Sequence, residues 1–251
     1  MTLSLESAVV RRGPAVLLDH VSFDCQAGAL TAICGPNGAG KSTALSLLTG
    51  ATKPSDGRAT LDGTDVASIP SAALARTRAV VAQQHRLGFP FLVYEVVAMG
   101  RAPHEGRSSA AHDAEIVESA LSAMALHALA DRNYLTLSGG ERQRTMIARA
   151  LAQVWDAPET TARWLLLDEP TAALDLKYQL NLMELLRRLA DDRWGVVAVL
   201  HDLGLVRRFA DAVVLMGKAS VAAAGPPREV LSAERIEEVF DLDAPYVESG
   251  L

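Results

Sequence analysis

The sequence predicts an α/β fold: a mostly parallel sheet with helices on both faces, a small antiparallel β subdomain near the N-terminus and an inserted α-helical subdomain. After Ser138, apolar runs of strand length alternate with helical patterns, which is typical of a parallel sheet. The run from Leu30 to Cys34 ends at a glycine-rich loop, and helical spacing follows from Ser42 to Leu48. Residues Ala111 to Ala130 lack Gly and Pro and have apolar residues at i, i+3, i+4 and i+7, which predicts the helical insert.

The N-terminal part favours strands, because Val16 to Phe23 alternates and Ala59 to Leu61 precedes an Asp62-Gly63 turn. The pattern changes near Gln83, so we expect one domain, 1–251, with a helical subdomain at about 85–158 inside it. The further elements that we expect, in chain order, are a helix over Arg142–Ala152, a surface loop over Trp155–Arg163, a strand over Trp164–Leu167, a helix over Tyr178–Ala190, and strands over Val196–Leu200 and Ala212–Met216 with a helix between them.

The composition excludes several classes of protein. The chain has 251 residues and is 49% hydrophobic, which is enough for a substantial core. Its net charge of −6 gives no general attraction to nucleic acid. It has no long apolar run and no signal-peptide pattern, so we expect it to stay in the cytosol. Cys25 and Cys34 have no metal or redox spacing, and we assign them no chemistry.

The segment GPNGAGKST has the spacing of a phosphate-binding loop, GxxxxGK(S/T). Glycines let backbone N–H groups close on phosphate oxygens, and Lys41 would reach the β- and γ-phosphates. The Ser42 hydroxyl would hold Mg²⁺, which takes oxygen ligands. An ordinary glycine-rich turn is the alternative, but the strand before and the helix after favour a nucleotide site. The candidate ATP-binding residues are Gly35, Pro36, Asn37, Gly38, Ala39, Gly40, Lys41, Ser42 and Thr43.

Two acidic residues, Asp168 and Glu169, follow a buried strand, at the edge where open α/β sheets place their ligands. Adjacent strand residues point in opposite directions, so Asp168 can face a metal while Glu169 positions or activates the attacking water. An acidic pair after an apolar run is by itself also typical of a plain turn. The phosphate-binding loop upstream favours the catalytic interpretation.

The motif LSGGE begins a helix, and Ser138 and Glu141 have the spacing of a capping box. A well-capped helix would explain the motif without any ligand. However, Gly139 and Gly140 in the first turn cost about 1 kcal/mol each in helix propensity. Exposed N–H groups at a helix start suit a second phosphate site, and the candidates there are Ser138, Gly139, Gly140 and Glu141.

The combination resembles the nucleotide-binding subunits of ABC transporters over essentially the whole chain. Walker A (GPNGAGKST), the signature (LSGGE) and Walker B (WLLLDEP) have the family's order and spacing. The resemblance implies a P-loop ATPase core with Lys41, Glu169 and His201 as its catalytic residues. Of these, His201 in VLHD matches the switch histidine that contacts the γ-phosphate.

Two further positions follow from the resemblance. Gln83 in VVAQQH matches the Q-loop glutamine, which completes the Mg²⁺ shell with Ser42 and Asp168; Gln84 is the alternative. Asp175 in AALD matches the D-loop aspartate, which communicates across a dimer.

One departure from the family pattern is visible. The aromatic residue that stacks on adenine is absent upstream of Walker A, where the chain has VRR. A guanidinium can stack on a purine, so Arg11 or Arg12 is the candidate replacement.

The resemblance also implies partners and a location. Two copies pair head to tail, so that each ATP lies between Walker A of one chain and the signature of the other. This homodimer docks on two transmembrane permease subunits, with a periplasmic or extracellular substrate-binding protein acting through them. The chain would be peripheral, at the cytoplasmic face of the cell inner membrane. Residues 83–104 are either core of the helical subdomain or the groove for a permease coupling helix.

The cargo is inferred from kinship alone. The stretches RAVVAQQHRLGFPFLVYEVVAMGRAPH, VWDAPETTARW and HDLGLVRRFAD are similar to haem (hemin) importer ATPases, within the iron-siderophore and cobalamin import group. A siderophore or cobalamin importer is one alternative, and a soluble ABC protein acting on ribosomes or DNA is another. The sequence gives His85 and His104 no paired ligand, so neither is assigned to haem.

Overall fold

The computed structural model describes residues 1–83, 87–156 and 162–242. The chain forms two compact units, one of Met1–Ile69 with Leu186–Leu251 and one of Pro70–Leu185. Both ends of the expected helical subdomain, at 85 and 158, lie outside the described residues, so those bounds stay a prediction. No helix in the described ranges has the length and apolar character needed to cross a membrane.

The elements follow the predicted α/β pattern. In chain order they are β1 (Thr2–Arg12), β2 (Ala15–Gln26), β3 (Leu30–Cys34), α1 (Lys41–Leu48), β4 (Asp56–Leu61), β5 (Thr64–Asp65), α2 (Ser71–Thr77), β6 (Arg78–Val81), α3 (Val93–Ala98), α4 (Ala110–Ala123), α5 (Gly139–Val154), β7 (Trp164–Asp168), α6 (Leu176–Asp191), β8 (Gly195–Val199), α7 (Leu203–Phe209), β9 (Ala212–Gly217), β10 (Ser220–Gly225), α8 (Pro227–Val230) and α9 (Ala233–Phe240).

The first unit contains the predicted antiparallel sheet, with strand order β2-β1-β4-β5. The central strand β1 was not predicted, because its burial does not alternate. Its pairing with β2 shifts register between Leu5 and Ala8, and Ser7 has φ 46°. After the shift, three consecutive residues of β1 are buried, Ala8, Val9 and Val10. A bulge of this kind removes the period of two on which strand prediction depends.

The same unit contains the strand order β10-β9-β3-β8, in which β9, β3 and β8 run parallel. Every residue of β3 and β8 is buried, as expected for parallel strands covered on both faces. Ile33 of β3 pairs with Val199 of β8 and with Val214 of β9. The carboxyl ends of these strands therefore lie at one edge of the sheet.

The second unit pairs β6 with β7 in parallel and packs α3 and α4 on the long helix α5. α5 has a wide buried face that includes Ile147 and Leu151. The predicted loop over Trp155–Arg163 is described only at its ends, since residues 157–161 lie outside the described ranges.

The helical pattern over Ala111–Ala130 is not one continuous helix, since α4 spans Ala110–Ala123. Ala125 has φ 51°, a left-handed conformation that usually marks a helix end occupied by glycine. The turn lets Leu126 become fully buried, and its N–H donates to the carbonyl of Leu121 at 2.9 Å. Burial of one leucine stabilises by roughly 1.5–3 kcal/mol, which offsets the strain at an alanine.

Candidate functional site

The phosphate-binding loop follows β3 and owes its shape to close backbone contacts. Gly35 has φ 142°, and a Cβ there would lie 2.1 Å from the carbonyl oxygen of Met216 on β9. Gly40 has φ 97°, and its Cβ would lie 2.8 Å from the carbonyl oxygen of Leu17. Only glycine is compatible with these two positions. At Gly38, φ is 80° but nothing lies within 4 Å of an added Cβ, so the middle of the loop is open on that side.

Lys41 begins α1 and has a buried side chain, 6% exposed. Its ammonium donates to the carbonyls of Gly35 at 2.8 Å and Pro36 at 2.9 Å, so it lies across the concave side of its own loop. Gly40, the residue before α1, has no side chain to cap the helix. A lysine ammonium inside a glycine loop at a helix start is the arrangement that binds polyphosphates.

His201 lies at the same sheet edge as this loop. The N–H of Leu200 donates to the carbonyl of Ile33 at 3.1 Å, which continues the pairing of β8 with β3 beyond Val199. His201 and Gly35 therefore leave neighbouring parallel strands at their carboxyl ends, and the His201 side chain is exposed there. Ligands of open α/β sheets bind at this edge.

In the second unit, Gln83 and Glu169 are in contact. Gln83 Nε2 donates to Glu169 Oε2 at 2.7 Å. Asp168 ends β7 half-buried, and Glu169 follows with φ 50°, a left-handed conformation. A non-glycine residue in this region costs roughly 1–3 kcal/mol, and such strain clusters at functional sites. The Glu169 carboxylate that follows this strained turn is the one that accepts from Gln83.

The predicted capping box at the start of α5 is confirmed. Ser138 Oγ accepts from the N–H of Glu141 at 3.3 Å, and the N–H of Ser138 donates to Glu141 Oε2 at 2.8 Å. The hydrogen bond from the Ser138 backbone holds the pKa of the Glu141 carboxyl below its usual value. Because the hydroxyl oxygen acts in the cap as an acceptor, its proton can still be donated to a ligand.

The segment around Asp175 lies against this helix start. A Cβ on Gly140 would lie 3.0 Å from the carbonyl oxygen of Ala173, so the glycine permits close approach of the segment. Asp175 precedes α6 and accepts a hydrogen bond from the N–H of Tyr178 at 3.0 Å. Both segments line a cavity of about 440 Å³, which includes Ser138 and Asp175. The structure thus gives Asp175 a helix-capping contact that the sequence did not predict.

Two side chains near this cavity were also not predicted. Arg144 is buried on α5, and its guanidinium lies over the ring of Tyr178, 4.2 Å from the centroid. An arginine on the buried face of an amphipathic helix was the available signal.

The remaining residues named from the sequence lie elsewhere. In the first unit, Arg11 and Arg12 are exposed beside the β1–β2 turn, and Cys25 and Cys34 are buried thiols. Gln84 and His85 lie outside the described residues, and the His104 ring contacts the carbonyl of Gln153 at 2.8 Å.

The fold and these sites define a phosphate-loop nucleotide-binding protein of the α/β class. Comparison with known proteins narrows the class. Residues 18–172 match the family described as ABC transporter. The chain belongs to this family, which confirms the predicted fold and the predicted class of enzyme, an ABC-type ATPase.

Individual relatives support the same family assignment. The chain is 45% identical over 245 residues to a hemin import ATP-binding protein, HmuV, of Nocardia farcinica, covering 96% of this chain and 83% of the relative. It is 43% identical over 233 residues to HmuV of Gloeobacter violaceus, covering 93% and 85%. The dimeric structure of the bacterial ABC transporter cassette MJ0796 is similar at 28% identity and a TM-score of 0.78, covering 90% of this chain and 99% of that one.

Proposed function

We propose that this chain is the ATP-hydrolysing subunit of a hemin importer. The observation that carries the ATPase part is the buried Lys41 ammonium, enclosed by the glycine loop after β3. Support for the cargo comes from relatives named as hemin import proteins, which are 41–45% identical over nearly the whole chain. Siderophore or cobalamin import is the second candidate, because the ATP-binding subunit of such an importer does not itself bind the cargo.

In this proposal the residues of the first unit bind the phosphates of ATP. Backbone N–H groups of residues 35–43 close on the phosphate oxygens, Lys41 neutralises charge on the β- and γ-phosphates, and His201 contacts the γ-phosphate. Arg11 or Arg12 stacks on the base, because the β2 segment that follows their hairpin borders the loop at Gly40.

In the second unit, Glu169 is the general base for the attacking water and Gln83 holds its carboxylate in place. The donors for Mg²⁺ are Ser42, Gln83 and Asp168. A hydroxyl, an amide and a carboxylate supply the hard oxygen ligands that this ion takes. The Gln83 amide uses its nitrogen toward Glu169, so its oxygen can coordinate a metal. When bound, Mg²⁺ supplies neutralisation of phosphate charge.

The proposed assembly is a homodimer with two permease subunits, at the cytoplasmic face of the inner membrane. Ser138, Gly139 and Gly140 of one copy would contact the γ-phosphate held by the other, with Asp175 beside them. A C₂ pair gives two equivalent sites, and loss of the γ-phosphate would let the pair reopen. A substrate-binding protein delivers the cargo to the permease. The helical subdomain at about 85–158 would dock on the permease.

The test is to co-purify the chain with its native permease and binding protein, reconstitute the complex in liposomes and measure ATP hydrolysis with each cargo. Hemin is expected to stimulate hydrolysis, while a ferric siderophore and cobalamin do not. The Lys41→Ala variant is the inactive control, because its loop loses the cation that pairs with phosphate. Stimulation by another cargo and not by hemin would overturn the cargo assignment but leave the ATPase assignment standing.

A further inference from the structure

The buried Arg144 joins three helices of the second unit. Its guanidinium Cζ lies 4.2 Å from the ring centroid of Tyr178 on α6. One of its terminal nitrogens donates to the carbonyls of Met124 and Ala125, each at 3.0 Å, at the C-terminal end of α4. A cation is favourable there, because the carbonyls at a helix C-terminus carry partial negative charge. The buried charge is therefore satisfied by two carbonyls and one aromatic face.

Tyr178 connects this arginine to the Asp175 segment. Tyr178 lies in the first turn of α6, and its backbone N–H donates to the carboxylate of Asp175, which precedes the helix. The start of α5 and the Asp175 segment touch at Gly140 and Ala173, and the two helices touch again at Arg144 and Tyr178. Two separate contacts constrain the angle between these elements as well as their separation, whereas one contact would constrain the separation alone.

The same pair lines two cavities. Arg144 and Tyr178 line the cavity of about 440 Å³ that contains Ser138 and Asp175. They also line a smaller cavity of about 40 Å³, together with Asn181 and Leu182. A smaller side chain at position 178 would enlarge the space that these cavities occupy, and it would leave the arginine without its aromatic face.

We propose that Arg144 and Tyr178 are positioning residues for ATP-driven dimerisation. Their contact sets the spacing between Ser138 and Asp175, so that both residues can contact the nucleotide bound by a second copy. The inference rests on the proposed function, because the signature acts only on the partner's ATP. A lysine would not replace Arg144, since it lacks the planar group that stacks on a ring while donating to carbonyls. A phenylalanine would replace Tyr178, because it keeps the ring face.

The experiment uses the full chain carrying Glu169→Gln, so that ATP is bound without turnover. Tyr178→Leu, Tyr178→Phe and Arg144→Lys are added, with Glu184→Gln on the exposed face of α6 as the matched control. Sedimentation velocity with Mg²⁺ and ATP measures dimerisation, and titration with ADP measures nucleotide binding by the single chain. Tyr178→Leu and Arg144→Lys are expected to weaken dimerisation about tenfold, with ADP affinity within about twofold of the parent. Tyr178→Phe and Glu184→Gln are expected to dimerise like the parent.

Circular dichroism identifies the folded variants, and Arg144→Lys decides the question if Tyr178→Leu does not fold. The inference is overturned if the folded variants dimerise like the parent, or if ADP affinity falls in proportion to dimerisation, which would indicate general damage. If the Glu169→Gln parent itself does not dimerise with ATP, the proposed function fails, and the inference fails with it. That result can be distinguished from a failure of the inference alone, because the Glu169→Gln parent still carries both Arg144 and Tyr178.

Discussion

The side-chain amide of Gln83 donates a hydrogen bond to the carboxylate of Glu169, with 2.7 Å between Nε2 and Oε2. The two residues are far apart in sequence and follow neighbouring strands, β6 and β7, at their carboxyl ends. Glu169 has a left-handed backbone conformation, with φ 50°. The pair links a residue expected at the metal to the residue expected to act on water.

Gln83→Glu distinguishes the two roles of Gln83. A carboxylate is a good Mg²⁺ ligand, so a metal role alone predicts an active variant. The contact with Glu169 predicts the opposite, because two carboxylates at hydrogen-bond distance repel and raise the pKa of one of them. We expect Gln83→Ala to lose about tenfold or more in kcat, from a hydrogen bond to a charged group worth roughly 1.5–3 kcal/mol. The kcat of Gln83→Glu should fall by at least the same factor. If either variant keeps the parent's kcat in steady-state ATPase assays, the contact between Gln83 and Glu169 has no role in catalysis.

Ser138 can be tested for capping and for phosphate binding separately. Ser138→Asp keeps a good N-cap, so the free energy of unfolding should change little, whereas Ser138→Ala should lose about 1 kcal/mol. Ser138→Asp places negative charge where the partner's γ-phosphate would lie, and Ser138→Arg fills that space. Both variants should bind ATP yet fail to dimerise with it, as measured by light scattering. If either one dimerises like the parent, the signature is only a capped helix.

Gly35→Ala and Gly38→Ala form a matched pair in the phosphate-binding loop. Both have a positive φ, which strains an alanine by roughly 1–3 kcal/mol. Only at Gly35 would the new methyl group meet a backbone atom, the carbonyl oxygen of Met216 at 2.1 Å. Urea unfolding should therefore show a much larger loss of stability for Gly35→Ala than for Gly38→Ala. Equal losses would mean that the contact with β9 does not shape the loop.

The two cysteines should be inert in the native protein. Burial raises the pKa of Cys25 and of Cys34 from the ordinary 9.0 to about 12, and the nearby Lys41 ammonium only partly opposes this at Cys34. Since the thiolate is the reactive form, iodoacetamide at pH 8 should label both only after unfolding. Between pH 9 and 12 the unfolded chain loses thiol protons that the native chain retains, so the free energy of unfolding should fall as pH rises. Rapid labelling of the native protein would contradict this account.

Sequence reasoning succeeded where a local pattern and the buried structure agree. Strands β3 and β7 read as continuous apolar runs because both are covered on two faces, and the glycine spacing after β3 reflects a real steric requirement at Gly35. It failed where tertiary contacts override the pattern. α4 ends at Ala123 because Leu126 gains burial, although no glycine marks the turn.

The same limit applies to the candidate site. Motif positions predict Gln83 and Glu169 as site residues. Their contact depends on how β6 and β7 pair, and no spacing in the sequence encodes that pairing. Arg144 and Tyr178 lie in helical patterns that predict only a buried face. Their contact depends on where the fold places the two helices, and it could not be predicted from either helix alone.

The Glu169→Gln variant tests the central claim, that this chain hydrolyses ATP and uses it to join two copies. The amide keeps the shape of the carboxylate and can still accept from Gln83, but it cannot take a proton from water, so single-turnover hydrolysis should slow by ~10²–10⁴. ATP binding should be retained, because the substitution removes a negative charge that would repel the γ-phosphate. Size-exclusion chromatography with Mg²⁺ and ATP should therefore show a stable dimer that the parent forms only transiently. Hydrolysis within about threefold of the parent, or a slow variant that stays monomeric with ATP bound, would contradict the account.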